Sequence, residues 1–248
     1  RFQDKLKNIP IKENYQKLTN LETIGRDRCF PWEFSDNPYH EACKEWAGKR
    51  RLFSVREQVA QKLIDMTYDL QTAHYGIRFE DAFRPPDVQR GLFYRRYQQT
   101  KQNNTNWSDE EILLETKSKT AYTPRFAAHQ AGAAVDIRLI DTITGEIVDI
   151  GHDYPDGGSK VAVSFPFVTQ TQWLNRNLLA VVAGKHGLTM YPFEDWHVSA
   201  GDVTSVVLGG ETQEGAVFGP IKSFDLTTGE AIDTYGSEEL DVVFPLNL

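Results

Sequence analysis

Two histidines and two acids, far apart in the chain, have the types and spacings of a metal centre. His129 lies seven residues before Asp136, which interrupts the apolar run of "HQAGAAVDIRLI". Further on, "EDWH" places Glu194 three residues before His197. A catalytic zinc takes three protein ligands and keeps a fourth position for water. His129, Asp136 and His197 supply such a set, and Glu194 is then left as a general base for the water.

The stretch that carries Asp136 predicts a strand with a carboxylate that needs a partner. Apolar residues alternate along 134–140, which is typical of a half-buried strand, and Asp136 shares its face with Ile140. Burying a charge is costly unless it is paired or binds a metal, so we expect His129 as the first partner. Spacing alone leaves other interpretations open. Asp136 could form an ion pair with an arginine, His129 could bond a backbone carbonyl, and His197 could be a core histidine whose ring nitrogens have ordinary hydrogen-bond partners.

The segment 188–199, "LTMYPFEDWHVS", predicts a second strand that carries Glu194 and His197. In a regular strand, residues three apart point to opposite faces. We therefore expect a bulge or turn near Trp196, which lets both side chains reach one metal. The arrangement differs from the helical HExxH motif, in which two histidines lie one turn apart.

Periodicity and capping signals predict the elements around these motifs. Ser54 and Glu57 form a predicted capping box before a helix with apolar residues at helical spacing, and Gly76 is its predicted stop. The other predicted elements are a strand at 76–83, a helix that starts near Pro86, a short helix after a Ser108–Glu111 capping box, the strand at 134–140, and a helix from Thr169 to His186 that Gly187 closes.

The ends of the chain show weaker patterns. Residues 1–50 lack sustained periodicity and predict an irregular arm, whereas β-like pieces occur at 206–208 and 242–244. The similar stretches "DTITGEIVD" and "DLTTGEAID" predict two hairpin turns of one kind, the first at Thr144-Gly145.

Composition limits the class of protein. The chain has 248 residues, 40% hydrophobic and 25% charged, enough for one large domain or two small ones. Its 27 Lys and Arg against 35 Asp and Glu give a net charge of −8, which argues against a general nucleic-acid binder. No run approaches the roughly 18 apolar residues that span a bilayer, so we expect no membrane span.

Cys29 and Cys43 are the only cysteines, and they enclose a Pro-containing, aromatic loop. A disulfide in an oxidising compartment and two free thiols both fit this pattern. A zinc site at His40 and Cys43 lacks further Cys or His ligands nearby. The chain begins at Arg1 instead of Met, which fits signal-peptide removal as well as a trimmed chain. We expect a periplasmic or secreted location over a cytoplasmic one.

Three motifs, in order along the chain, resemble those of a known family. "HQAGAAVDI" matches the H-x-x-G-x-A-x-D signature of the zinc D-Ala-D-Ala peptidases, and "EDWH" matches the E-x-x-H that follows it. Upstream, "EDAFRPPDVQ" resembles the D-x-[YF]-R-P segment of the same family. The stretch "DIRLIDTITGEIVDIG" is most similar to the vancomycin-resistance D-Ala-D-Ala dipeptidase branch of this hedgehog/DD-peptidase fold. The resemblance covers roughly residues 50–200.

The resemblance implies the same metal site that the spacing favours. His129, Asp136 and His197 would bind one Zn²⁺ per chain. Glu194 would act as the catalytic base and later protonate the leaving amine.

The resemblance also implies roles for three residues near these ligands. Arg84 would stabilise the oxyanion, which suits a guanidinium because its charge is fixed. The other interpretation of Arg84 is an ion pair with Asp81 or Asp87. Asp81 matches an acidic residue of the family, and we expect it among the substrate-binding residues, where it orients its neighbours and does not react. Gly132 is explained by backbone geometry between the ligands.

Substrate recognition is where this chain departs from the family. Ala127 stands where members often carry a Ser or Thr that helps to bind substrate. The dipeptidase branch holds the free amine of its substrate with an acidic residue, and Asp153 and Asp156 are both candidates. Solvation in a loop or turn formation explains either of them equally well. His152 and His186 have no matching role.

The implied fold is α+β, with a central, mostly antiparallel sheet flanked by helices and with the zinc site on the sheet. We expect a single zinc peptidase domain over 1–248, which comprises an N-terminal arm (1–50), a catalytic core (51–200) and a β-rich C-terminal extension (201–248).

The implied activity is that of a zinc metallopeptidase that hydrolyses D-Ala-D-Ala or a similar small D-amino-acid dipeptide. The alternative within the class is a D,D- or L,D-carboxypeptidase that trims peptidoglycan stem peptides. A binding module that keeps zinc without catalysis, as in the related hedgehog signalling domain, is a further alternative, although Glu194 and Arg84 argue against it. The expected partner is a small peptide with D-amino acids, with no nucleic acid and no membrane span.

Overall fold

The computed structural model describes residues 2–210 and 214–246. The helices in these ranges are α1 (Phe2–Lys7), α2 (Leu21–Arg28), α3 (Glu57–Thr72), α4 (Pro86–Asn103), α5 (Asp109–Lys119), α6 (Gln170–Lys185) and α7 (Val203–Gly209). The strands are β1 (Leu18–Asn20), β2 (Trp32–Phe34), β3 (Ser54–Arg56), β4 (Tyr75–Asp81), β5 (Ala134–Asp141), β6 (Thr189–Met190), β7 (His197–Ser199), β8 (Ile221–Phe224) and β9 (Ala231–Thr234). Short 3-10 helices lie at Glu41–Trp46, Pro124–Phe126 and Ser159–Val161.

A five-stranded sheet in the order β2-β4-β5-β7-β6 forms the centre of the α+β fold. Only β2 and β4 pair in parallel, and the other neighbours pair antiparallel. The predicted central, mostly antiparallel sheet is therefore confirmed. The prediction that residues 1–50 are irregular is wrong, because they supply the edge strand β2 as well as β1, α1 and α2. Elements of three to eight residues are too short to show periodicity.

Strand β5 is buried on both faces, contrary to the expected half-buried strand. Val135, Ile137 and Leu139 form one apolar cluster with buried residues of α3 and α6. The opposite face, with Asp136, is covered by the loop that follows the strand, where Tyr154 donates a hydrogen bond to that carboxylate. The centre of the sheet is thus shielded from water on the side that carries the polar residues.

The start and stop predicted for α3 are wrong. Ser54 lies in β3 and pairs with Asn20 of β1, so its backbone is extended and the helix begins only at Glu57. The helix ends at Thr72, and Gly76 lies inside β4. A Cβ at Gly76 would collide with the backbone carbonyl of Pro31, so this glycine permits the close approach of the chain before β2.

Other predicted boundaries are confirmed. Pro86 is the first residue of α4, the Ser108–Glu111 capping box precedes α5, and Thr169 caps α6. The two turns with similar sequences share one backbone pattern. The amide of Asp141 donates to the carbonyl of Glu146, and the amide of Asp225 donates to the carbonyl of Glu230.

The C-terminal prediction is right about the β-hairpin of β8 and β9 and wrong about two other pieces. Residues 206–208 belong to α7, because the Asp202 side chain accepts hydrogen bonds from the backbone amides of Thr204 and Ser205 and starts a helix. Residues 242–244 form no strand. The division of the chain into arm, core and extension stays a prediction.

The two cysteines are free thiols. Cys29 is exposed at the end of α2, whereas Cys43 is buried in a separate cluster with Tyr39 and Val88. Over residues 2–210 and 214–246, no helix combines the length and the apolar character that crossing a bilayer requires.

Candidate metal centre

Three neighbouring strands bring acidic and imidazole side chains side by side. Asp81 at the end of β4 is the cross-strand partner of Asp136 in β5, and Asp136 is the partner of His197 in β7. Directly opposed residues in a sheet project on the same side. All three residues are buried, so the sheet concentrates charge in one water-poor place.

His129 reaches the same place from the tight turn that leads into β5. The amide of Gly132 donates to the carbonyl of His129 at 3.1 Å, and the Gly132 carbonyl accepts from the amide of Arg56 at 2.8 Å. Gly132 has φ +67°, and a Cβ there would lie 2.5 Å from Leu18 Cδ2. Glycine is therefore favoured by the left-handed backbone, and a larger residue would also have to displace the end of the Leu18 side chain.

The ligand atoms of the predicted metal site converge. Asp136 Oδ1 lies 3.2 Å from His129 Nε2 and 3.1 Å from His197 Nδ1, and the two ring nitrogens are 3.1 Å apart. Zinc bonds of about 2.0–2.2 Å at tetrahedral angles separate ligand atoms by about 3.3–3.5 Å. The three atoms thus form a triangle close to the size that one zinc ion needs, and the set of two imidazoles and one carboxylate suits zinc.

Hydrogen bonding fixes the state of His129. Its Nδ1 lies 2.7 Å from the carbonyl oxygen of Ala82, so Nδ1 carries the proton and donates, and Nε2 faces the other ligands with a free lone pair. Burial, reinforced by the positive charge of Arg84, lowers the pKa of His129. A neutral imidazole is the form that binds a metal.

The carboxylate of Asp136 and the imidazole of His197 stabilise each other's charge. Burial would raise the pKa of Asp136, but the neighbouring histidines and Arg84 hold that pKa well below its usual value. Burial also acts to lower the pKa of His197, yet the hydrogen bond and charge of Asp136 outweigh it, and the pKa is raised. Metal binding at this site therefore competes with a proton on His197.

Glu194 is brought close enough to His197 and Asp136 for their charges to interact, because the chain turns before β7. The amide of Glu194 donates to the carbonyl of Tyr191 at 3.2 Å, and the amide of His197 donates to the carbonyl of Glu194 at 3.2 Å. The turn expected near Trp196 is confirmed. Burial raises the pKa of the Glu194 carboxyl, which brings it closer to the range where a carboxylate can both accept and return a proton near neutral pH.

Arg84 is held by two carboxylates at once. Its Nε donates to Asp81 Oδ2 at 2.9 Å, and its terminal NH2 donates to Asp136 Oδ2 at 3.1 Å. Asp87, the other partner considered for this arginine, pairs instead with Arg90. The guanidinium therefore lies next to the candidate metal ligands, and its ion pair with Asp81 is the alternative interpretation that the sequence left open.

Two further residues of the site were missed from the sequence. The hydroxyl of Tyr154 donates to Asp136 Oδ2 at 3.0 Å, and burial raises the pKa of this phenol well above its usual value. Arg51 Nη1 forms an ion pair with Asp81 Oδ2 at 2.9 Å, donates a hydrogen bond to the carbonyl of Glu80, and lies close enough to the Tyr154 hydroxyl to interact with it. The only signal was the position of Tyr154 between the two acids weighed in "HDYPDGG". Nothing in "GKRRLF" distinguished Arg51 from the other basic residues there.

The acids proposed to hold a substrate amine lie at the surface. The side chain of Asp153 is 94% exposed, and Arg138 is 3.8 Å from it. Asp156 accepts a hydrogen bond from Lys160 at 2.8 Å and one from the backbone amide of Asp153 at 3.1 Å. In the described part of the chain, no hydrogen bond or ion pair joins either carboxylate to the three metal-ligand candidates.

The two histidines without a predicted role have structural partners. His152 Nε2 lies 2.9 Å from both carboxylate oxygens of Asp195. His186 caps the C-terminal end of α6 and contacts Asp69 Oδ2 at 2.7 Å.

A family profile described as D-Ala-D-Ala dipeptidase, under the name peptidase M15, matches residues 42–208. That range is well over half of the 248 residues. The chain belongs to this peptidase family. The family recognised from three motifs is thereby confirmed, and the matched range contains every residue of the site described above. Among curated proteins, no significant sequence match was found.

Several solved structures are similar to this chain. The LD-carboxypeptidase LdcB, described for its peptidoglycan recognition, has 16% identity and a TM-score of 0.44 over 82% of this chain and 80% of its own. A zinc-bound mutant of the vancomycin-resistance D,D-pentapeptidase VanY has 14% identity and a TM-score of 0.42, over 75% of this chain and 94% of its own. VanYB in complex with D-alanine-D-alanine has 13% identity and a TM-score of 0.41, over 64% of this chain and 78% of its own. At such identities and TM-scores, the likeness says nothing about what this chain binds.

Proposed function

We propose that this peptidase uses one zinc ion, bound by His129, Asp136 and His197, to hydrolyse D-Ala-D-Ala or a similar small D-amino-acid dipeptide. The observation that carries the proposal is the convergence of these three ligand atoms within 3.2 Å of one another, next to Glu194, in a member of the D-Ala-D-Ala dipeptidase family.

The protein side chains divide the chemistry between them. Bound zinc would supply Lewis acidity, which lowers the pKa of water toward about 7 and polarises a peptide carbonyl. The Glu194 carboxylate accepts the proton of the attacking water and returns it to the leaving amine. Arg84 places a fixed positive charge where the carbonyl oxygen becomes negative. The buried setting strengthens these interactions because little water screens them.

A second candidate function is the trimming of peptidoglycan stem peptides by a D,D- or L,D-carboxypeptidase. Its support is the surface position of Asp153 and Asp156, which leaves the free amine of a dipeptide without either of its expected partners. A substrate whose nitrogen is already part of a longer peptide needs no such carboxylate. The matched family name favours the dipeptide, and the exposed acids favour the longer chain.

The test is a comparison of Glu194→Gln with the wild type. We expect the wild-type protein to release D-alanine from D-Ala-D-Ala, and we expect Glu194→Gln to keep its zinc but to lose about 10²–10⁴-fold in turnover. Glu146→Gln, at an exposed hairpin turn, is the matched control and keeps full activity.

A substrate panel separates the two functions. Release of D-alanine from the free dipeptide but not from a muramyl pentapeptide supports a dipeptidase, and the reverse supports a carboxypeptidase. An active Glu194→Gln enzyme contradicts the assigned base. Zinc binding without hydrolysis of either peptide contradicts catalysis and leaves a binding module.

A further inference from the structure

Five polar side chains at the candidate metal centre, Asp136 among them, form a closed ring of hydrogen bonds and charge contacts. Arg84 bridges Asp81 and Asp136 on one side of the ring. On the other side, Arg51 forms an ion pair with Asp81 and interacts with the Tyr154 hydroxyl. Tyr154 donates to Asp136 and so completes the ring. Two guanidinium groups balance two carboxylates, and the phenol adds a donor without adding charge.

Within this ring, the two oxygens of Asp136 face different partners. Oδ1 faces the imidazoles of His129 and His197, whereas Oδ2 accepts from Arg84 at 3.1 Å and from Tyr154 at 3.0 Å. Hydrogen bonds to the remote oxygen of a ligating carboxylate fix its orientation and tune its affinity for the metal. Two donors therefore orient the Asp136 carboxylate. Only one of them, Arg84, is also proposed to stabilise the oxyanion.

Asp81 is arranged in the same way. Its Oδ2 accepts a hydrogen bond from Arg84 Nε at 2.9 Å and forms an ion pair with Arg51 Nη1 at 2.9 Å. Each carboxylate that holds Arg84 thus has a second donor of its own. If Arg84 weakens these bonds to meet an oxyanion, neither carboxylate is left buried without a partner, which would otherwise be costly.

The position of Tyr154 is itself set by packing. Its ring lies edge-on to Trp196, with centroids 5.2 Å apart, and the ring of His152 packs on the same indole at 5.5 Å. His152 is in turn held by the carboxylate of Asp195 at 2.9 Å. The loop after β5 is thereby fastened to the segment that carries the catalytic base, and the phenol is aimed at Asp136.

We propose that Tyr154 and Arg51 are positioning residues, which hold Asp136 and Asp81 in place so that Arg84 is free to respond to the transition state. The inference rests on the proposed function, since it needs both a bound zinc and a developing oxyanion. Neither residue needs to touch the substrate for this role.

Tyr154→Phe is the direct test, because it removes one hydroxyl and keeps the ring and the charge balance. We expect the dissociation constant for zinc, measured by chelator competition, to rise about 10–100-fold. With zinc saturating, we expect kcat to fall and KM to stay close to the wild-type value, since the lost interaction acts on transition-state binding. Tyr68→Phe is the control, since Tyr68 is half-exposed on α3 and hydrogen-bonds Arg28.

Arg51→Lys and Arg51→Met provide a second line of evidence if Tyr154→Phe folds poorly. Lysine keeps a charge and a donor for Asp81, so we expect Arg51→Lys to retain more kcat than Arg51→Met. If Arg51 only supports folding, both variants should have a lower melting temperature, but Arg51→Lys should not have a higher kcat than Arg51→Met.

The outcomes distinguish failure of the positioning role from failure of the proposed zinc peptidase function. A wild-type protein that binds no zinc overturns the proposed function and this inference together. If the wild type binds zinc and hydrolyses peptide, while Tyr154→Phe equals it in zinc affinity and kcat, only the inference is overturned. A change in KM alone would mean that Tyr154 contacts substrate, and it would overturn the positioning role as well.

Discussion

The turn at Gly132 joins His129 to the strand that carries Asp136, so a change there tests how backbone shape builds the metal site. Alanine at this position meets two separate obstacles. It must adopt φ +67°, and its Cβ would lie 2.5 Å from Leu18 Cδ2. The left-handed conformation costs a non-glycine residue about 1–2 kcal/mol. Forcing extra volume into a packed site costs about 1–3 kcal/mol more. We therefore expect Gly132→Ala to lower the free energy of unfolding by about 2–5 kcal/mol.

Gly145→Ala separates the two costs. Gly145 has a similar backbone, with φ +76°, but no atom lies within 4 Å of its added Cβ. This control should lose only the conformational part, about 1–2 kcal/mol. A double-mutant cycle with Leu18→Ala isolates the clash, because that change removes the atom which the new Cβ would meet.

The assay is thermal unfolding with a chelator present, so that metal binding does not contribute. A chain of this size loses about 2–4 °C in melting temperature per kcal/mol, which puts Gly132→Ala about 2–12 °C below Gly145→Ala. Zinc affinity is then measured separately, and it should fall in Gly132→Ala only. Equal melting temperatures for the two variants, or a cycle with no coupling to Leu18, would refute the reasoning.

Two more predictions concern the folding stability of the protein at residues outside the candidate metal centre. Arg56→Ala should lower the free energy of unfolding by about 3–5 kcal/mol in a denaturant titration, because it removes the charge partner of Glu13 and a buried donor to the carbonyls of Ala131 and Gly219; a loss under about 1 kcal/mol would contradict this. Hydrogen bonds from Lys185 and His186 hold the pKa of Asp69 below its usual value, so this carboxylate stabilises the fold above its unfolded pKa and loses that effect as pH falls through its folded pKa. The melting-temperature difference between wild type and Asp69→Asn should therefore shrink from pH 7 to pH 3, and a constant difference would count against the pairing.

The residues that converge at the candidate metal centre were predictable because each lies in a short motif with its own physical logic. An acid inside an apolar strand demands a partner, and His129, seven residues before it in the same motif, was the first candidate. The need for a turn before His197 followed from strand geometry alone. Both inferences use neighbours within the same few residues of sequence.

Contacts made across large sequence separations could not be predicted in this way. Tyr154 meets Arg51 from more than one hundred residues away, and neither residue lies in a periodic or motif-like stretch. The extended conformation of Ser54 arises from its pairing with β1, which overrides a good capping signal. Strand β2 is too short for periodicity, and only its place at the sheet edge reveals it.

The most direct test of the central claim is a zinc-edge anomalous diffraction map of the protein crystallised with one equivalent of zinc. We predict a single strong peak, about 2.0–2.2 Å from His129 Nε2, Asp136 Oδ1 and His197 Nδ1. A protein that takes up no zinc, or a peak that lies away from these three atoms, would contradict the account.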